Sequence, residues 1–179
     1  ITVPGSNRIP VAIAEFGGDT ASGRIVTAVI RADLERSGLI KIVDADGTTM
    51  TEGTPPSFGD WKNRGADALA AGSIGDGGEG RREARFRLYD VNKSSVLTGS
   101  AFVTSRAMLR AAGHRIADMI YEKLIGERGV FSTRVSYVVR VSPTRYELQV
   151  SDADGQNPQV ALISREPIIS PTWSPDGTR

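Results

Sequence analysis

The chain has 179 residues, 39% hydrophobic and 24% charged, the make-up of a soluble globular protein of one domain or of one domain plus part of another. Its 22 basic and 21 acidic residues leave a net charge of +1, so no overall field draws it to nucleic acid or to an anionic membrane. It has no cysteine, which excludes disulfides, thiolate nucleophiles and cysteine-type zinc sites, and no apolar run reaches the roughly 18 residues of a bilayer span.

The opening residues Ile1-Thr2-Val3-Pro4-Gly5 lack the basic start and long apolar run of a signal peptide. Ile9 to Phe16 (IPVAIAEF) predicts a buried strand, broken by Gly17-Gly18. Thr20 to Ser37 carries Ile25, Val29, Ile30 and Leu34 at helical spacing, with Asp19 or Thr20 to cap the start and Gly38 to end it. Leu39 to Val43 is the next strand. Thr48 to Gly59, rich in Thr, Gly, Pro and Ser, reads as loop; a short helix fits Asp60 to Arg64, and Ala66 to Ile74 is a second buried strand. This order predicts partly parallel pairing with crossovers.

A glycine-rich segment, Gly72 to Gly80, comes next. Then Ala84, Phe86 and Leu88 alternate with Arg85, Arg87 and Tyr89, the period of a strand with one wet face. Asn92 to Ser95 turns the chain into a hairpin partner, Val96 to Thr104. A long helix spans about Arg106 to Ile125, with Met108, Ala112, Ile116, Met119, Ile120 and Leu124 as its buried stripe and Gly126 at its end. Residues 1–130 are thus expected to form an α/β domain, a mixed five-stranded sheet with two long helices.

From residue 131 the texture changes. Arg134 to Val141, Tyr146 to Ser151 and Val160 to Ser164 are short strands separated by turn segments with no helix, an up-and-down meander. Residues 131–179 are expected to be the start of a β-propeller, one incomplete blade. In the final stretch Pro171 ends a strand, Trp173 is an apolar anchor, and Ser174-Pro175-Asp176-Gly177 fits a type I turn. Such a junction is expected to lead into further blades beyond Arg179.

Little in the chain speaks for catalysis. Gly75-Asp76-Gly77-Gly78-Glu79-Gly80 is a literal GxGxxG, but a dinucleotide site needs those glycines to open a helix, and a strand pattern comes after them, so a hairpin loop is favoured over a nucleotide site. Asp44-Ala45-Asp46-Gly47 and Asp152-Ala153-Asp154-Gly155 are one tetrapeptide twice, read as turns rather than calcium loops because neither has the EF-hand frame. The single histidine, His114, lies mid-helix four residues before Asp118 and reads as a packing or hydrogen-bonding residue; Gly113 beside it is expected to let the helix approach the sheet. Arg81, Arg82, Arg85 and Arg87 with Tyr89 could make an RNA platform, but a solvated face or protein-binding rim is favoured. No cofactor or metal is expected.

Two segments carry a specific likeness. Arg110 to Phe131 with Thr133 to Val138, and Tyr146 to Gly155 continuing to Pro171-Thr172-Trp173-Ser174-Pro175-Asp176-Gly177, together resemble the TolB family of the Tol–Pal envelope system. The resemblance implies an N-terminal α/β domain shaped like an anticodon-binding domain, then a six-bladed propeller. It implies a periplasmic, non-enzymatic adaptor of a Gram-negative bacterium that links inner-membrane TolA to the outer-membrane lipoprotein Pal during cell division, with bacteriocins exploiting the propeller. In the family the extreme N-terminal segment binds TolA. Ile1, Thr2, Val3, Pro4, Gly5, Ser6 and Asn7 match its tail and are the partner-binding residues that the resemblance implies. Because the chain begins late in that segment and carries little of the propeller, it is expected to bind neither TolA nor Pal fully by itself.

Overall fold

A computed structural model describes residues 8–175 and Gly177. The chain divides into two compact units between Gly129 and Val130. In the first, the strands are β1 (Ile9–Ile13), β2 (Glu15–Gly18), β3 (Ile40–Val43), β4 (Thr49–Met50), β5 (Ala68–Asp76), β6 (Arg82–Asp90) and β7 (Ser95–Thr104). The helices are α1 (Thr20–Arg36), α2 (Phe58–Asn63) and α3 (Leu109–Ile125), the last preceded by a 3-10 turn at Arg106–Met108. Parallel pairing joins β1 to β3 and β5, and β2 to β4 and β5; β5, β6 and β7 are antiparallel neighbours.

The seven strands reduce to five rows. β1 and β2 are one apolar run interrupted at Ala14, lying along successive parts of β5, and β3 and β4 flank them on the far side. The interruption has a visible cause. Arg31 of α1 donates from Nε and Nη2 to the Ile13 carbonyl at 3.2 and 2.6 Å, and from Nη1 to Glu15 Oε1 at 2.7 Å. A carbonyl at the break thus gains a charged donor, which keeps a buried backbone acceptor satisfied.

α1 and α3 pack on one face of this sheet, over alternate positions such as Val11, Ile13, Phe86 and Leu88. The opposite face is covered at one end by the segment from Ala45 to Ala66. There Trp61, Ala45 and Ala66 pack on Ala12, Ala14, Leu69, Ala71, Tyr89 and Val91. Burial on both sides explains why Ile9 to Phe16 is apolar without alternation. Two glycines are fixed by close approach. A Cβ at Gly23 of α1 would collide with the Phe16 carbonyl oxygen, and one at Gly72 would collide with both the Arg85 carbonyl oxygen and the Phe16 ring.

Several expectations are corrected. Ile25 and Met108 are exposed at 44% and 55%: Ile25 falls off the α1 stripe, and Met108 precedes the first α-helical turn of α3. The segment read as loop from Thr48 to Gly59 contains β4 and the start of α2. Gly113 faces α1 rather than the sheet, since a Cβ there would come within 2.8 Å of Val29 Cβ.

The second unit is an antiparallel sheet of β8 (Arg134–Ser142), β9 (Arg145–Asp152) and β10 (Gln159–Ser164) in the order β10-β9-β8. Pro143-Thr144 forms a two-residue hairpin connection between β8 and β9. Gly177 N–H donates to the Ser174 carbonyl at 2.9 Å, closing the four-residue turn expected there; Asp176 lies outside the described residues.

Candidate functional site

The expected partner-binding residues, Ile1 to Asn7, lie outside the described residues. The remaining candidates are the glycine loop, the two Asp-Ala-Asp-Gly repeats, His114 and the basic strip.

The glycine loop joins β5 to β6 as a hairpin. Gly78 N–H bonds to Asp76 Oδ1 at 3.0 Å, Gly77 N–H to the Arg81 carbonyl at 3.1 Å, and Arg81 N–H to the Gly78 carbonyl at 2.9 Å. The Gly77 and Gly78 amides therefore bond within the loop, and the loop leads into strand β6 instead of a helix. The nucleotide-site alternative has no geometric support.

The two Asp-Ala-Asp-Gly repeats are both turns. Asp44 Oδ1 accepts from Asp46 N–H at 2.8 Å, and Asp154 Oδ1 accepts from Gln156 N–H at 3.0 Å. Each carboxylate holds its own backbone two residues on, the Asx-turn reason for finding Asp there.

His114 is buried, and its Nδ1 lies 2.5 Å from Oδ2 of Asp33 in α1, 81 residues away in sequence. Arg36 also approaches Asp33, at 3.1 Å. The histidine thus ties the two long helices together through a hydrogen-bonding partner on the other helix. Asp33 was missed. The available signal was a carboxylate set inside the stripe of Val29, Ile30 and Leu34.

The basic strip is largely neutralised. Arg81 pairs with Glu79 at 2.6 Å, Arg82 with Asp19 at 3.4 Å and Arg85 with Glu83 at 2.6 Å. Glu83 holds the Arg85 guanidinium pKa above its usual value, by hydrogen bond and by charge. Tyr89 is buried, stacks edge-on to Phe58 and donates its hydroxyl to the Glu52 carbonyl at 3.1 Å. With the aromatic ring covered, no stacking platform for RNA bases remains on that strand. Glu52 also accepts from Ser73 Oγ at 2.7 Å.

Two carboxylates have lowered pKa values. Asp19 caps α1 and is held down first by the Ser22 hydroxyl, then by the Ser22 backbone N–H, with the nearby Arg82 charge adding to them. Glu147, buried in β9, is held down by hydrogen bonds from Gln149 and Arg145 at 2.9 Å each. Both lie in structural hydrogen-bonded groups, so their shifts need no catalytic explanation.

Comparison with known proteins gives one answer. Residues 1–97 match the family of TolB amino-terminal domains and residues 121–179 match that of the TolB beta propeller domain. The Tol-Pal system protein TolB of Dechloromonas aromatica is 59% identical over the whole chain, and the one of Bordetella avium is 54% identical. The chain covers 42% and 40% of those two proteins, so it spans about two fifths of the length of the curated relatives it matches. The crystal structure of TolB from Acinetobacter baumannii aligns with a TM-score of 0.83 at 32% identity, covering 96% of this chain and 43% of that one.

Proposed function

The chain belongs to the TolB family, and we propose that it is the front part of a non-enzymatic periplasmic adaptor of the Tol–Pal system. In this reading residues 1–130 are the N-terminal domain and residues 131–179 open the propeller. The N-terminal segment Ile1 to Asn7 contacts TolA, while Pal and some bacteriocins are held mainly by the propeller. The adaptor thereby connects the inner-membrane and outer-membrane sides of the envelope during cell division.

The observation that carries the reading is the double family match, with a relative 59% identical across both matched stretches. Physical features agree with it. The polar clusters described above hold turns, caps and helix contacts, and no helix of the described residues is long and apolar enough to cross a membrane. An extended terminal segment that adds to a partner's sheet edge would need no pocket, since main-chain hydrogen bonds supply affinity. The test is a pull-down and calorimetric titration with the C-terminal domain of TolA. Binding that weakens when Ile1 to Asn7 are deleted supports the assignment; binding unaffected by that deletion overturns it.

A further inference from the structure

β7 is an edge strand: among the described residues it pairs only with β6. It is also the longest strand of the first unit, at 10 residues, and its sequence SVLTGSAFVT contains no charge and no proline. Edge strands normally carry such features to prevent strand addition. Here the only irregularity is a register shift near Val96, which leaves Thr98 to Thr104 in regular pairing. Val96 and Val103 are exposed at 52% and 55%.

Beside that edge α3 stands off the sheet and leaves a groove of about 380 Å³. Phe102, Val103, Met108 and Ala111 make its walls apolar, and its charged lining residues are Arg81 and Arg115. The Arg115 guanidinium sits 4.3 Å from the ring centroid of Phe102, a second lining residue of the groove. Arg81 pairs with the exposed Glu79, and such a pair opposes exchange weakly.

We infer that the β7 edge is a docking site for an extended segment of a second protein, added as a further strand, with alternate apolar side chains in the groove and an acidic residue against Arg115 and Arg81. The charge of the groove selects the occupant. Pairing β7 with the β7 of a second copy brings cationic grooves together and supplies no acid, whereas an acidic strand meets both needs. The groove's lining residues, Arg81 to Arg115, include none of Ile1 to Asn7 and none of residues 131–179, so it stands apart from the function proposed above.

The probes are two fluorescein-labelled peptides, Asp-Val-Thr-Val-Thr-Val-Asp and the same sequence with lysine at both ends, titrated by anisotropy against the full chain. The acidic peptide should bind saturably and at least about tenfold more tightly than the basic one. Arg115→Glu should reverse that preference. Val103→Lys, at an exposed position, should weaken the acidic peptide about fivefold or more. The bound peptide should slow amide exchange within Ser95–Thr104. If Arg115→Glu loses the circular dichroism of the parent, Arg81→Glu gives the same charge test at an exposed residue. Equal affinity for the two peptides, protection located elsewhere, or a dimer that Val103→Lys dissociates would each overturn the inference.

Discussion

The two units contrast in what they bury. In the first, Val11, Ile13, Ile30, Leu34, Leu69, Leu88, Ile116 and Ile120 have no accessible surface, and helices or loops cover parts of both sheet faces. In the second, the buried residues among those described are Phe131, Glu147 and Ser151, two of them polar, while Val135, Val141, Val160, Leu162 and Ile163 are all more than 40% exposed. A sheet flanked by its own helices generates its core locally. A propeller blade buries its faces against neighbouring blades, so each blade by itself holds few closed contacts. The chain carries two tryptophans, Trp61 in the first unit and Trp173 in the second, so each unit has its own fluorescent reporter once the other is replaced by phenylalanine.

The largest effect is expected at the centre of the first unit. Leu88→Ala removes a side chain with 0% exposure and should cost about 3 kcal/mol, within the usual range for a buried leucine. In a Trp173→Phe background the Trp61 denaturation midpoint should fall accordingly. In a Trp61→Phe background the Trp173 midpoint should not move. An equal shift at Trp173 would mean that the units unfold together and would break the contrast. Asp33→Ala comes next, at about 2 kcal/mol, because it removes the buried hydrogen bond between Asp33 and His114 that joins α1 to α3. Asp33→Asn keeps an acceptor and should cost less, again read at Trp61.

Acid provides a finer separation. Asp19 is held below its ordinary 3.8 and Glu147 below its ordinary 4.5. A carboxylate with a depressed folded pKa contributes stability that is complete above its unfolded pKa and is lost as pH falls through the folded value. Both contributions should therefore be intact at pH 6 and fade below about pH 4. Asp19→Asn should flatten the acid dependence of the Trp61 transition alone, and Glu147→Gln that of the Trp173 transition alone. At neutral pH the Asp19 change should be smaller than either core substitution, since asparagine still caps a helix. Crossed effects, with Glu147→Gln altering Trp61, would show that the two sheets are energetically joined.

Where local chemistry decides, the sequence is readable. The period of two from Ala84 to Tyr89 predicts β6, and the αL glycine Gly126, with φ of 86°, ends α3 where expected. The misreadings involve residues distant in sequence. The break at Ala14 depends on Arg31 reaching back from α1, the place of Gly113 depends on Val29, and the Asp33 partner of His114 lies 81 residues away. Tyr89 has the position of a wet-face residue but is buried because Phe58 and Trp61 fold over it. No periodicity in a strand reports what a distant loop will cover. The partner surface is harder still, because a docking edge differs from an ordinary edge only by what it lacks, charge and proline.

The smallest expected effect is the most direct test of the second unit. Leu162 lies in β10, beside a register shift, and is 52% exposed. Replacing it with serine removes little buried apolar surface, so the Trp173 transition should move by no more than about 0.5 kcal/mol. The same chemistry applied to the fully covered Leu88 should cost several times as much. If Leu162→Ser instead lowers the Trp173 midpoint by more than about 1 kcal/mol, β10 must bury apolar area that its exposure does not show. In that case the meander has a core of its own. A negligible shift means that its exposed apolar row adds nothing to folding in this chain and remains available for contact with a neighbouring blade.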